Sequence, residues 1–188
     1  MNRYQENRRM NRIALSLVAV VALLVSPGAA HAQASQSPLP GYLAKASLAR
    51  AQAEARKWRP EAYVFQISAN RVTDGVAMWN YDFYAAGAGD EKCLRVGFGR
   101  GGKPYTSRHK CEASPEVKAF TIDSDKAVDI ARKAGLQRPE LTMVLSVVPF
   151  PGAEIVGWTV MEGAGMKAGE KTADIDATTG EVRGTRAM

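Results

Sequence analysis

Residues 170–186 read Glu-Lys-Thr-Ala-Asp-Ile-Asp-Ala-Thr-Thr-Gly-Glu-Val-Arg-Gly-Thr-Arg, and this stretch decides the fold. Ala173, Ile175 and Ala177 alternate with Asp174 and Asp176, the period-two pattern of a strand with one buried face. Thr178-Thr179-Gly180 reverses the chain, and Glu181-Val182-Arg183 begins a return strand.

The same design stands 79 positions earlier. Glu91-Lys92 matches Glu170-Lys171, and Gly101 matches Gly180 as the turn glycine. Working outward in that register, Trp79 matches Trp158, and Arg59-Pro60-Glu61 matches Arg138-Pro139-Glu140. Further upstream Ala55-Arg56-Lys57 recurs as Ala131-Arg132-Lys133 at an offset of 76, so the second copy gains three residues after its helix. Several matches in one register, in the same element order, are the mark of an internal repeat.

Each copy opens with a helical pattern. Tyr42 to Trp58 is alanine-rich without internal Gly or Pro, and Ala44, Leu48, Ala51, Ala55 and Trp58 share a face. The second helix is expected from Asp123 to Ala134, with Asp123 as N-cap, Gly135 at its end, and Ala127, Ile130, Ala131 and Ala134 as the buried stripe. Strands follow each helix. In the first copy Tyr63, Phe65 and Ile67 form the strongest apolar set, and Asp74-Gly75 signals a turn. Trp79, Tyr81 and Phe83 then alternate with Asn80 and Asp82. Leu94, Val96 and Phe98 share a face opposite Cys93 and Arg95, and Tyr105 to Cys111 returns along them. Arg108, His109 and Lys110 place charge on that last strand, as sheet edges do. The second copy has strands at 141–148, 155–162, 171–177 and 181–186. Its first strand favours Leu141, Met143, Leu145 and Val147, the opposite parity to Tyr63, Phe65 and Ile67. Either both faces of that strand are buried or the register differs by one. The expected architecture is α+β: two tandem units, 41–113 and 120–188, each one helix packed on a four-stranded antiparallel sheet. Trp79, Trp158, Gly101 and Gly180 are its expected structural anchors.

The first residues point elsewhere. Arg8, Arg9 and Arg12 precede the apolar run Ile13 to Val25, Pro27-Gly28 breaks it, and Ala30-His31-Ala32 follows. That is the layout of a secretory signal peptide, cleaved near Ala32 or Ala34, with either Met1 or Met10 as the start. Residues 1–34 are the expected signal and 35–40 a disordered leader. The apolar run is short for a membrane span, and stable membrane insertion after processing is not expected. Losing Arg3, Arg8, Arg9, Arg12 and Glu6 lowers the formal charge from +6 to +3. Such a charge makes no case for nucleic acid, which export already disfavours. In a periplasmic or secreted chain the two cysteines, Cys93 and Cys111, read as one disulfide. A hairpin centred on Gly102 would set them across from each other, at the spacing a disulfide needs.

The second copy resembles a PepSY domain. The resemblance rests on the opening helix Asp123-Ser-Asp-Lys-Ala-Val-Asp-Ile-Ala131, on Trp158-Thr-Val160, and above all on Asp176-Ala-Thr-Thr-Gly-Glu-Val182; it covers about 121–186. The first copy looks like a diverged relative, with Gly97-Phe-Gly-Arg-Gly101 where the family hairpin carries Asp-Ala-x-Thr-Gly. The resemblance implies a helix-plus-antiparallel-sheet module found outside the cytoplasm and beside peptidase domains. It implies a non-catalytic role in binding or restraining peptidases, and no family binding residue carries over.

Catalytic readings fare poorly beside it. Gly97-x-Gly99-x-x-Gly102 matches a dinucleotide fingerprint in letters, but a strand pattern follows where that motif needs a helix. His109 is the one histidine left after processing, and no Gly-x-Ser-x-Gly accompanies it. No His/Cys cluster has zinc spacing, and no cofactor is expected. Asp174 and Asp176 read as a solvated strand face rather than a carboxylate pair. The favoured function is a non-enzymatic exported binding protein whose partner is another envelope protein, a peptidase in the specific case. The alternatives are a small exported hydrolase and a structural or stress-sensing subunit of an envelope assembly. Asn80, Asp82, Arg95, Arg108, His109 and Lys110 form the candidate partner surface.

Overall fold

The computed structural model describes residues 43–73, 76–99, 102–150, 152–163 and 167–187. The expected signal and leader, the Asp74-Gly75 turn and Gly101 lie outside them. The chain is α+β. Its elements are α1 (Ala44–Trp58), β1 (Tyr63–Thr73), β2 (Val76–Tyr84), β3 (Cys93–Phe98), β4 (Pro104–His109), α2 (Ser124–Lys133), β5 (Leu141–Phe150), β6 (Ala153–Glu162), β7 (Lys171–Asp176) and β8 (Val182–Ala187). The strands form one antiparallel sheet of eight, in the order β4-β3-β2-β1-β5-β6-β7-β8, rather than two separate sheets of four. β1 and β5 are the seam.

Both helices lie on one face. Ala44, Ala51 and Ala55 of α1 and Ala127 and Ala131 of α2 are buried there, small enough to let helix and sheet approach closely. Arg59, forced toward an extended conformation by the following Pro60, ends α1. The start of α1 is less orthodox. Leu43 offers no side-chain cap. Instead the Ala44 N–H donates to Ser124 Oγ at 3.1 Å and the Lys45 N–H to Asp123 Oδ1 at 3.3 Å. Asp123 Oδ1 also accepts from the Ser124 N–H at 2.7 Å. One carboxylate thus serves the electropositive starts of two helices.

The core runs without interruption across the seam. Val96, Tyr81, Ile67, Leu145, Trp158 and Ile175 stand in one cross-strand row, each buried. Trp79, Ala69, Met143, Val160 and Ala173 form the next row. The Trp79 and Trp158 rings meet edge-on at 5.9 Å, and Phe120 adds a second edge to Trp158 at 6.1 Å. Each large polar ring has its partner: Trp158 Nε1 donates to the Ile122 carbonyl at 2.8 Å and the Tyr81 hydroxyl to the Ala44 carbonyl at 2.7 Å. Side chains of this size contribute about 1.5–3 kcal/mol each on burial, so these rows hold the sheet and both helices as one body.

The parity conflict between β1 and β5 has a local cause. Val64 pairs with Phe83 and Gln66 with Asp82, leaving Phe65 as an extra residue. This bulge flips the alternation. Val64, Ile67 and Ala69 therefore face the helices, whereas Tyr63 turns away and packs on Tyr84 at 5.6 Å. The expected Tyr63, Phe65 and Ile67 set is split: Val64 holds the repeat position of Met143, whereas Ile67 and Ala69 beyond the bulge keep the opposite parity, so the register differs by one within the strand.

The signature turn is held by its first residue. Asp176 Oδ1 accepts from the N–H groups of Thr178 and Thr179 at 2.8 and 3.0 Å, and Oδ2 accepts from Arg183 at 3.0 Å. Gly180 has φ 78°, and a Cβ there would stand 3.3 Å from Ile130 and 3.4 Å from Ile122. Glycine meets both demands.

Candidate functional site

The side of the sheet away from the helices carries the polar residues singled out in the sequence. Register places Asn80 opposite Gly97, Asp82 opposite Arg95, and Cys93 opposite His109, all on this face. Asp82 and Arg95 form a fork: Arg95 Nε donates to Oδ1 at 2.8 Å and its terminal nitrogen to Oδ2 at 3.0 Å. The carboxylate is 1 % exposed, so it serves Arg95 rather than a partner, and its hydrogen bond raises the Arg95 pKa against the opposing effect of burial. Asn80 is likewise engaged, accepting the Tyr105 hydroxyl at 2.7 Å. The Tyr105 ring lies across Gly97, where a Cβ would stand 2.2 Å from Cζ. The glycine in β3 makes room for a cross-strand aromatic.

Arg108 departs from the set. It pairs with Leu94, whose side chain is in the core, so register sends Arg108 to the helix side. Lys110 lies just past the end of β4. Arg108, His109 and Lys110 make no ion pair or hydrogen bond through their side chains with a described residue. A disulfide joins Cys93 to Cys111 with a Cα separation of 5.9 Å. The two cysteines are not facing residues, because the hairpin turns one residue earlier than a Gly102 centre requires; His109 faces Cys93 and Cys111 lies two residues on.

The other half of this face is also tied internally. Asp174 accepts Thr159 Oγ1 at 2.8 Å and pairs with Arg186, and Asp176 pairs with Arg183. Burial pushes the Asp176 carboxyl up, but the bonds from Thr179, Arg183 and Thr178 outweigh it and leave the pKa lowered. Glu162 behaves alike: burial opposes ionisation, and the N–H groups of Gln137, Arg138 and Lys171 win. Glu170 accepts from Arg138 at 3.1 Å and from the Lys167 N–H at 2.8 Å, fastening two loops. Of these two buried glutamates the sequence marks only Glu170, as a member of the recurring Glu-Lys pair, and gives neither its burial nor its partners.

Chemically, this is a surface of satisfied ion pairs with a free cationic margin. Gly97, Gly99 and Gly102 belong to the β3–β4 hairpin, with a strand after them in place of the helix that a dinucleotide site uses. Among the described residues no three His, Cys, Asp or Glu side chains converge as a metal site would require, and no helix is long and apolar enough to cross a membrane. No family model, curated protein or solved structure matches the chain.

Proposed function

We propose that this chain is a non-enzymatic, exported, periplasmic binding protein built from two tandem PepSY-like units, and that its partner is another envelope protein, specifically a peptidase. The observation that carries the reading is the use made of the polar residues. Asp82, Asp174, Asp176, Glu162 and Glu170 are each engaged by arginines, a threonine hydroxyl or backbone N–H groups, an arrangement that stabilises a scaffold. The groups left over, Arg108, His109 and Lys110, sit at a margin suited to recognition.

The two-unit description is supported by order. Each helix is followed by a four-strand meander, and the two meanders abut at β1 and β5. The Arg-rich start, the apolar run and Ala30-His31-Ala32 support export, and the disulfide fits an oxidising compartment.

The test is affinity capture from periplasmic extract at low and high salt, with peptidase assays on captured enzymes. A salt-sensitive peptidase complex with dose-dependent inhibition is the expected result. Turnover of a substrate by the purified protein, abolished by one substitution, would overturn the non-enzymatic reading.

A further inference from the structure

We propose that the outer edge of β4 is a strand acceptor, on which an extended acidic segment of a partner protein pairs as a ninth strand. This rests on the binding role above and gives that role a place and a chemistry. The sheet has two edges, β4 and β8, and they differ. β8 is broken by a bulge at Arg183, and its Arg183 and Arg186 are neutralised by Asp176 and Asp174. A bulged edge is poorly shaped for further pairing. β4 pairs with β3 over six consecutive residues without irregularity, and Pro104 to Arg108 are all exposed.

The backbone of β4 offers the right groups. The Gly99 N–H donates to the Lys103 carbonyl at 3.1 Å. Alternation along an antiparallel ladder then makes Tyr105 and Ser107 the residues that bond to β3, and turns the N–H and C=O of Thr106 and Arg108 outward. Pro104, which has no N–H, falls in the outward-facing set, where β3 requires no donor from it. The edge is also ordered in advance: the Cys93–Cys111 bond fastens its far end, and Tyr105 is anchored on Asn80. Pre-ordering lowers the entropic cost of docking a strand.

Charge selects the occupant. Lys103, Arg108 and Lys110 are exposed and make no ion pair with a described residue. Two copies of such an edge repel each other, whereas an acidic strand is drawn to it. Backbone pairing supplies the affinity and the flanking cations the selectivity.

The probe is a dye-labelled peptide of alternating glutamate and valine, titrated by fluorescence anisotropy into the full chain. Saturable binding that weakens with salt is expected. N-methylation of alternate peptide amides, Thr106→Pro, and the double variant Arg108→Glu/Lys110→Glu should each weaken binding about tenfold or more. Circular dichroism checks that Thr106→Pro keeps the native spectrum; the charge variant and the N-methylated peptide decide the matter should it not fold. Absence of saturable binding, equal binding of the N-methylated peptide or of a lysine–valine peptide, or edge-to-edge dimers of the chain would each overturn the proposal. Capture of the envelope partner that survives both variants overturns this edge alone, whereas no capture by the unsubstituted chain overturns the binding role, and the titration still decides the edge.

Discussion

At the scale of single residues, Asp176 explains why the most distinctive stretch of the sequence is distinctive. Its alternation with Ala173, Ile175 and Ala177 made a strand legible, and Gly180 made the turn legible. Its employment was not legible. A polar residue on alternate positions reads as solvated, yet Asp176 is 5 % exposed. What buries it is Arg183, brought back beyond the turn, together with two turn N–H groups. Nothing in a linear pattern says that a cation seven residues later will fold over a carboxylate. The consequence is measurable. Asp176 and Glu162 both have lowered pKa values in the folded chain. A carboxyl so lowered binds fewer protons folded than unfolded. Its stabilisation is therefore fully present above the unfolded value of about 4 and is lost as pH falls through the folded value below it. Urea titrations between pH 6 and pH 2 should show stability declining across that acid window. Asp176→Asn should flatten part of the slope while lowering stability at neutral pH by about 1–3 kcal/mol, through loss of charge-assisted bonds to Arg183 and the turn. An unchanged acid slope in this variant would assign the dependence to other groups.

At the scale of elements, helices and strands were readable because their periodicities are strong, and their partners were readable only in part. The bulge at Phe65 illustrates the limit: one extra residue reverses which apolar set meets the core, and the sequence there carries no glycine or proline to announce it. The start of α1 is a second case. Its own flank lacks a capping side chain, so sequence alone gives no N-terminal signal; Asp123 and Ser124 supply it from 78 and 80 residues away. The sequence marks Asp123 as the cap of α2 only, and its double service depends on the two helix starts being brought together by the fold. Asp123→Ala should therefore cost more than an ordinary cap, about 2 kcal/mol, the upper end of the usual range. Hydrogen exchange should accelerate at the first turns of both α1 and α2. Acceleration confined to α2 would show that the shared cap carries no weight in α1.

At the scale of the whole molecule, two helix-then-strand runs are legible in the sequence but their joining into one sheet is not. β1 and β5 each read as half-buried strands, and neither announces the other as neighbour. Their pairing turns two meanders into one sheet, with Trp79 against Trp158 and the shared cap of Asp123 both spanning the join. Each half alone is near the lower size limit for an independent core, about 70 residues or fewer. Cutting them apart would expose the inner edge of β5, uncover one side of Trp158 and strand the N-terminus of α1. The full chain is thus expected to unfold in a single cooperative transition, with tryptophan fluorescence and far-ultraviolet circular dichroism coinciding. Trp79→Ala should lower the stability of the entire sheet by about 3–5 kcal/mol rather than that of the first half alone. The separately produced segment 120–188 should show no cooperative transition. A biphasic curve for the full chain, or a stable isolated 120–188, would mean that the halves are autonomous modules; a single transition instead means that all eight strands, from the β4 edge across the β1–β5 seam to β8, fold as one unit.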